Sequence, residues 1–399
     1  MIKNTQTSAK SSHRIFNFLS LTASLSALLS VVWIIIPAPS YYVWLFSVAA
    51  SEWSLAFGAL AIFGILCTLI FGCGKIKFAS LLFGTTAVLI SLYPFFSAFS
   101  AAQKQGVSLS LRQYAGFSSD KEDNAADKQT FTFITIDEKL LQLDLYLPPN
   151  DSAGNGAGIV VVHGGSWSGG ARSDFPEWNR WLARQGYAVF DIDYRIAPQP
   201  NYLSATGDVK CAVGWVKRNA ARFNISPDKI VLLGRSAGAH LALLAAYSAN
   251  DARIPSSCPN PEINENVRAV VSFYAPTDLI WSFDNPANEF VIDGQKTLSQ
   301  FLGGSPDESN EIRQRFLLAS PNSHVTRETP PTLLIHGGQD QLIKSENMNL
   351  LARQLEQADV PHKVLFVSYA QHGFDYNFNG WGAQVVQPVL LDFLHATAK

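Results

Sequence analysis

Ile230-Val231-Leu232-Leu233-Gly234-Arg235-Ser236-Ala237-Gly238-Ala239 is the stretch that decides the fold. A run of apolar, β-forming residues enters it, and an alanine- and leucine-rich helical run, Ala239 to Ser248, leaves it. The chain therefore turns from strand to helix around Gly-Arg-Ser-Ala-Gly. Such a turn holds its serine in a strained conformation and lifts the hydroxyl above the sheet. The backbone two residues to either side is crowded, which favours glycine there. Gly234 and Gly238 meet that demand. Alone, the pentapeptide also suits a small serine in an ordinary tight turn. The strand before it and the helix after it favour an exposed nucleophile.

Upstream, Gly158-Ile159-Val160-Val161-Val162 reads as a buried strand that ends in His163-Gly164-Gly165-Ser166-Trp167. Acyl transfer passes through a tetrahedral oxyanion, and backbone N–H groups stabilise it only where no side chain blocks their approach. Paired glycines after a strand fit that requirement. The donors are assigned to the amides of Gly165, Ser166 and Ala237, with Gly164 shaping the turn; an ordinary Gly-Gly loop is the competing reading. His163 is expected to brace the loop rather than do chemistry.

In a sheet of this kind the acid and base sit on loops at the carboxyl ends of strands and follow the serine in chain order. His362 precedes the strand Lys363 to Val367, and His395 ends the last helix, which leaves His372, just after that strand, as the base. Another apolar strand, Thr332-Leu333-Leu334-Ile335-His336, leads through Gly337-Gly338-Gln339 to Asp340, expected to orient His372. Asp278 occupies a comparable place after Ala269 to Phe273 and is the second candidate, with helix capping as its ordinary role. His240 and His336 are expected to support packing near the site.

Taken together, His163-Gly164-Gly165-Ser166-Trp167, Asp193-Tyr194-Arg195-Ile196-Ala197-Pro198, the elbow, His336-Gly337-Gly338-Gln339-Asp340 and His372-Gly373-Phe374 resemble the α/β-hydrolase fold from about residue 128 onward. Within it the chain is most similar to the carboxylesterase and hormone-sensitive-lipase-like group. That resemblance implies an oxyanion hole on Gly164, Gly165 and Ser166, where relatives often carry a third glycine in place of Ser166. It fixes the bond type better than the substrate, since members cleave carboxylic esters, aryl formamides or acetylated sugars. A Ser236-His372-Asp340 hydrolase of carboxylic esters is the expectation. A lipase or an aryl formamidase or amidase on the same fold is the alternative, and a non-catalytic membrane-tethered binding protein is the alternative of another class. No cofactor or metal is implied.

The rest of the chain agrees with an α/β fold, a mostly parallel sheet flanked by helices. Strand-like Tyr187 to Asp193 alternates with helix-like Val209 to Arg222 and Glu346 to Asp359, and Thr130 to Ile136 with Leu140 to Leu147 suggests an opening hairpin in the domain spanning residues 130–399. The stretch 279–320 interrupts this alternation with aromatics and turn residues and reads as a cap-like insertion. Trp167, Trp281 and Phe283 are the pocket candidates.

Residues 1–102 are a different material. Three apolar stretches, at 15–36, 53–71 and 78–99, are long enough to cross a hydrocarbon core of about 30 Å as helices. Glu52 is better placed at an interface than in lipid, and Pro37, Pro39, Tyr41, Tyr42 and Trp44 suit an interfacial loop. Lys3, Lys10 and Arg14 precede the first stretch, and Lys75 and Lys77 separate the second from the third. The positive-inside rule then predicts a cytoplasmic N-terminus and, after a third crossing, a catalytic domain on the periplasmic or extracellular side. Residues 103–129 read as a polar linker.

Of 30 basic and 32 acidic side chains, residues 1–102 hold five and one, leaving 25 and 31 in the remainder. A catalytic part without a basic surplus argues against nucleic-acid binding. The expected partners are a small-molecule or lipid ester and the bilayer; no feature fixes an oligomeric state. Cys211 and Cys258 are read equally well as a bridge or as two buried thiols.

Overall fold

The computed structural model describes residues 2–117, 128–149, 154–259 and 264–398, so Ser118 to Asp123 of the expected linker lie outside the described residues. Its N-terminal quarter is helical: α1 (Ile2–Val31), α2 (Tyr41–Glu52), α3 (Ser54–Phe71) and α4 (Gly74–Gln105), with a short α5 (Leu111–Tyr114) beyond them. The stretches Ile15–Ile34, Ser54–Phe71 and Gly74–Gln105 are each long and apolar enough to cross a membrane. Small residues let α1, α3 and α4 pack closely. A Cβ on Gly64 would stand 2.5 Å from Ser24 Oγ, and one on Gly58 2.5 Å from Ser91 Oγ. Leu66, Leu69, Ile70, Leu82 and Leu89 face outward.

Of the residues expected in an interfacial loop, Tyr41, Tyr42 and Trp44 instead open the helix α2. Ser40 caps it by accepting from the amide of Val43, and Pro37 and Pro39 are confined to the turn before it. Glu52, expected at an interface rather than in lipid, ends this helix outside the three apolar spans. It is buried against the following domain, where Tyr369 Oη donates to its carboxylate at 3.2 Å. Burial pushes the pKa of Glu52 well above the usual carboxylate range, against the opposing effect of that hydrogen bond.

The second part is built on one eight-stranded sheet: β1 (Gln129–Ile136), β2 (Lys139–Tyr146), β3 (Gly158–Val162), β4 (Ala188–Ile192), β5 (Ile230–Arg235), β6 (Ala269–Phe273), β7 (Thr332–Gly337) and β8 (His362–Val367), in the spatial order β1-β2-β4-β3-β5-β6-β7-β8. The hairpin β1–β2 turns on Asp137 and Glu138, both at positive φ, and β2 pairs antiparallel with β4. All other pairs are parallel. The central strands are apolar without alternation because helices cover both faces. On one face lie α7 (Tyr202–Arg218), α8 (Ala237–Tyr247) and α12 (Glu346–Gln357); on the other lie α6 (Pro176–Arg184) and α13 (Trp381–Ala398).

Helix α7 begins at Tyr202, not near Val209. Gly207 in its second turn fits because a Cβ there would stand 2.7 Å from the carbonyl of Pro255. Cys211 on this helix is disulfide-bonded to Cys258, closing a separation of 47 residues. In the chain-entropy account such a closure stabilises the fold by about 4 kcal/mol.

The helical quarter is fastened to the α/β part at several points. Tyr114 stacks on Trp381 at 4.2 Å, Phe95 meets the same indole edge-on, and the amide of Ser110 donates to Gln384. The stretch 279–320 folds into α9 (Leu279–Asp284), α10 (Gly294–Leu302) and α11 (Asn310–Ala319), placed over the carboxyl end of the sheet.

Candidate active site

The turn between β5 and α8 carries Ser236 at φ 55° and ψ −123°, a strained backbone for a residue with a side chain. Its glycines are forced by contact. A Cβ on Gly234 would stand 2.3 Å from the carbonyl of Gly238, and one on Gly238 would stand 2.2 Å from those of Val162 and His163. These are backbone atoms that cannot swing aside. The same crowding presses the elbow against the loop after β3.

The acid and base loops are pressed together in the same way. A Cβ on Gly337 would stand 2.3 Å from the carbonyl of Ala370, and one on Gly338 2.5 Å from that of Ser368. With both loops at that separation, Ser236, His372 and Asp340 form a hydrogen-bonded row: His372 Nε2 lies 2.9 Å from Ser236 Oγ, and His372 Nδ1 lies 2.8 Å from Asp340 Oδ2. The amides of Leu342 and Ile343 donate to Asp340 Oδ1 at 2.8 and 2.9 Å. Burial works to raise the pKa of Asp340, but the charge of His372 and the hydrogen bonds from His336 and His372 outweigh it. They hold the carboxyl well below the usual carboxylate range. An Nδ1–H bonded to that carboxylate leaves Nε2 as the acceptor facing the serine hydroxyl.

Asp278 is not part of the row; it caps α9 by accepting from the amide of Trp281 at 2.9 Å. Around the row, Gly164 lies so close to the elbow that its Cβ would stand 3.3 Å from that of Ser236. Gly165 adopts φ 114°, where a Cβ would strike the carbonyl of Gly169. Ser166 and Ala237 line the same pocket as Ser236. The loop is braced from behind. His163 Nδ1 donates to the carbonyl of Gly164, Tyr194 Oη donates to that of His163, and Asn201 Nδ2 donates to that of Trp167. Trp167 Nε1 donates to His240 Nδ1, so the other ring nitrogen of His240 donates to the carbonyl of Ala319. Burial lowers the pKa of His240 to about 4, which keeps this imidazole neutral.

The pocket beside Ser236 has a cavity volume of about 70 Å³. Trp167 lines it, together with Ile292, Thr297 and Leu298 from the cap and Leu342 and Ile343 after the acid. Trp281 is not among its lining residues, and Phe283 points into the core, where its ring packs edge-on against Phe316. In an insertion this rich in aromatics, the sequence does not separate those that seal the cap from those that face the cavity.

One group of residues was not legible beforehand. Tyr274 packs its ring 4.4 Å from that of His372, and its hydroxyl donates to Asp375 Oδ1 at 2.6 Å. Asp375 also receives Arg235 Nε at 2.6 Å, and this buried ion pair joins the residue before the serine to one three places after the histidine. An arginine inside the elbow and an aspartate so near the base were the available signals.

With this geometry in view, similarity to known proteins is informative. A family model, BD-FAE, matches residues 143–355, just over half of the chain. The probable carboxylic ester hydrolase LipM of Mycobacterium tuberculosis is 29% identical over 236 residues, 58% of this chain and 53% of that protein. The esterase LipC of the same organism is 32% identical over 220 residues, 54% of this chain and 53% of that protein. The chain thus spans about half the length of the curated relatives it matches. The solved structure of the esterase Est2 from Thermogutta terrifontis superposes with a TM-score of 0.55 at 23% identity, covering 69% of this chain and 94% of that one, a likeness of fold.

Proposed function

The chain belongs to the BD-FAE family, and on that premise we propose that it is a membrane-anchored serine hydrolase that cleaves carboxylic esters through an acyl-enzyme. The row Ser236-His372-Asp340 carries the reading. His372 Nε2 takes the proton of Ser236 Oγ as the oxygen bonds to the ester carbonyl carbon. The negative charge passes to the carbonyl oxygen, opposite the amides of Gly165, Ser166 and Ala237, each such donor lowering the barrier by roughly 2.7 to 4 kcal/mol. Collapse breaks the carbon–oxygen bond to the alcohol, which leaves with the proton from His372. Water, deprotonated by the same nitrogen, then releases the acid and restores the serine. Asp340 holds the imidazole in its productive tautomer throughout.

A fluorophosphonate probe tests this reading. Stoichiometric addition of one phosphonyl group, located by mass spectrometry on the peptide containing Ser236 and blocked by prior heat denaturation, is expected. A folded protein left unmodified would sink the proposal. The cavity beside Ser236 is small, about 70 Å³, which favours short acyl groups. Across an ester series of graded acyl length, kcat/KM should peak at acetyl to butanoyl and fall for octanoyl. A rise toward long chains would favour a lipase instead.

For location we propose three crossings, with the N-terminus cytoplasmic and the hydrolase on the periplasmic or extracellular side. The contacts of the segment between the first two spans support this. Ala38 at its start is hydrogen-bonded to Gln341 and Asn288, and Glu52 at its end to Tyr369, so this segment and the hydrolase share one side. Lys75 and Lys77, in the first turn of α4, then belong to the opposite, cytoplasmic side. The Cys211–Cys258 disulfide agrees with an oxidising compartment.

A further inference from the structure

Ala38 stands four residues beyond Ile34, where the first apolar span ends, and so at most about 14 Å from the hydrocarbon edge. Its amide donates to Gln341 Oε1 at 2.7 Å, Asn288 Nδ2 donates to its carbonyl at 2.8 Å, and Gln341 Nε2 donates to Gln371 Oε1 at 3.2 Å. Gln341 follows Asp340 in the chain, and Gln371 precedes His372. The exit of the first membrane span is therefore tied to the neighbours of both the acid and the base. Ala38 and Trp44 also pack with Val291 of the cap and with Leu342, which lines the pocket beside Ser236.

A second, larger cleft runs along this junction. Its walls are Pro37 to Pro39 on the membrane side, Ala287 to Phe290 on the cap, and Gly338 to Gln341 with Lys344 on the catalytic side; Ala287 and Lys344 line both cavities. Phe290 is 77% exposed there, an apolar ring on the same cleft as Pro37 to Pro39 beyond the end of the first span. The small pocket beside Ser236 favours a short group, and the walls it shares with this cleft, Ala287 and Lys344, direct the other arm of an ester toward the cleft and the bilayer. We infer that the substrate is a lipid, the ester of a short acyl group with a long-chain, membrane-resident alcohol, taken laterally from the bilayer that anchors the enzyme. The inference rests on the ester-hydrolase reading above and adds the substrate class and its route.

The test uses the full chain reconstituted into phosphatidylcholine vesicles. Hexadecyl butanoate is placed either in the same vesicles or in separate enzyme-free ones, and 4-nitrophenyl butanoate serves as the soluble reference. Hydrolysis should follow the mole fraction of hexadecyl butanoate in the enzyme's own bilayer and be at least about tenfold slower from separate vesicles. Phe290→Glu, which places a charge where apolar surface should meet lipid, should lower the ratio of embedded to soluble turnover by about tenfold. Equal rates from both vesicle populations, or turnover of the soluble ester alone, would overturn the inference while leaving the hydrolase intact. If neither ester is cleaved faster than by Ser236→Ala, the hydrolase reading itself fails and takes this one with it.

Discussion

Replacing Ser236 by alanine is expected to lower kcat on a butanoyl ester by roughly 10⁶-fold while the protein stays folded. The two halves of that expectation have separate causes. On the proposed mechanism Ser236 Oγ is the nucleophile that displaces the alcohol and forms the acyl-enzyme, and it is the hydroxyl held 2.9 Å from His372 Nε2. Stability, by contrast, resides in the elbow's backbone. The positive φ of residue 236 is imposed by close packing of Gly234, Gly238 and the loop after β3, and alanine meets the same strain as serine. Thermal unfolding should therefore move by no more than a few degrees. The residual rate is informative too, because amides facing the oxyanion still leave roughly 10³ to 10⁴ over water when the nucleophile is gone. Measuring kcat/KM and the unfolding temperature of both proteins side by side decides the matter. Equal turnover would remove Ser236 from the chemistry, and a collapsed fold would show that the hydroxyl is structural.

What the sequence made legible are the places where backbone approaches backbone. Gly234, Gly238, Gly337 and Gly338 were readable as signposts because each stands where a Cβ would meet a carbonyl at 2.2 to 2.5 Å, so the fold tolerates no substitute. Strands β3, β5 and β7 were readable because sheets covered on both faces leave uninterrupted apolar runs. Side-chain partnerships spanning long separations were not. Arg235 and Asp375 are 140 residues apart, Ala38 and Gln341 are 303 apart, and Glu52 and Tyr369 are 317 apart. Nothing local in a charged residue says which distant group will neutralise it. Glu52 is an example: its position between apolar stretches keeps it out of lipid, but does not reveal that the folded chain buries it against Tyr369 of the other domain. Phe283 is the apolar counterpart, since an aromatic in a cap satisfies the same hydrophobic demand in the core or in the cavity.

The carboxylate assignment yields the second large effect. Asp340→Asn should reduce kcat by roughly 10⁴-fold, and Asp278→Asn should leave it within a few fold. The difference follows from the hydrogen bonds each carboxylate accepts. Asp340 Oδ1 receives the amides of Leu342 and Ile343, so an asparagine must keep its carbonyl oxygen there. Its amino group then occupies the Oδ2 position, facing His372 Nδ1 and the nearby Nε2 of His336. A donor opposite Nδ1 selects the tautomer with the proton on Nε2, and an imidazole protonated there cannot take one from Ser236. The variant should regain part of its rate at high pH, where the serine is more readily ionised without a base, and its KM should change little because the Asp340 side chain is only 1% exposed. The Asp278 carboxylate, by contrast, accepts among the described residues the amide of Trp281 at the start of α9, a role asparagine fills almost as well. A pH–rate profile of the three proteins separates the cases: loss in the Asp278 variant with retention in the Asp340 variant would transfer the acid's role to the cap and undo the row on which the mechanism stands.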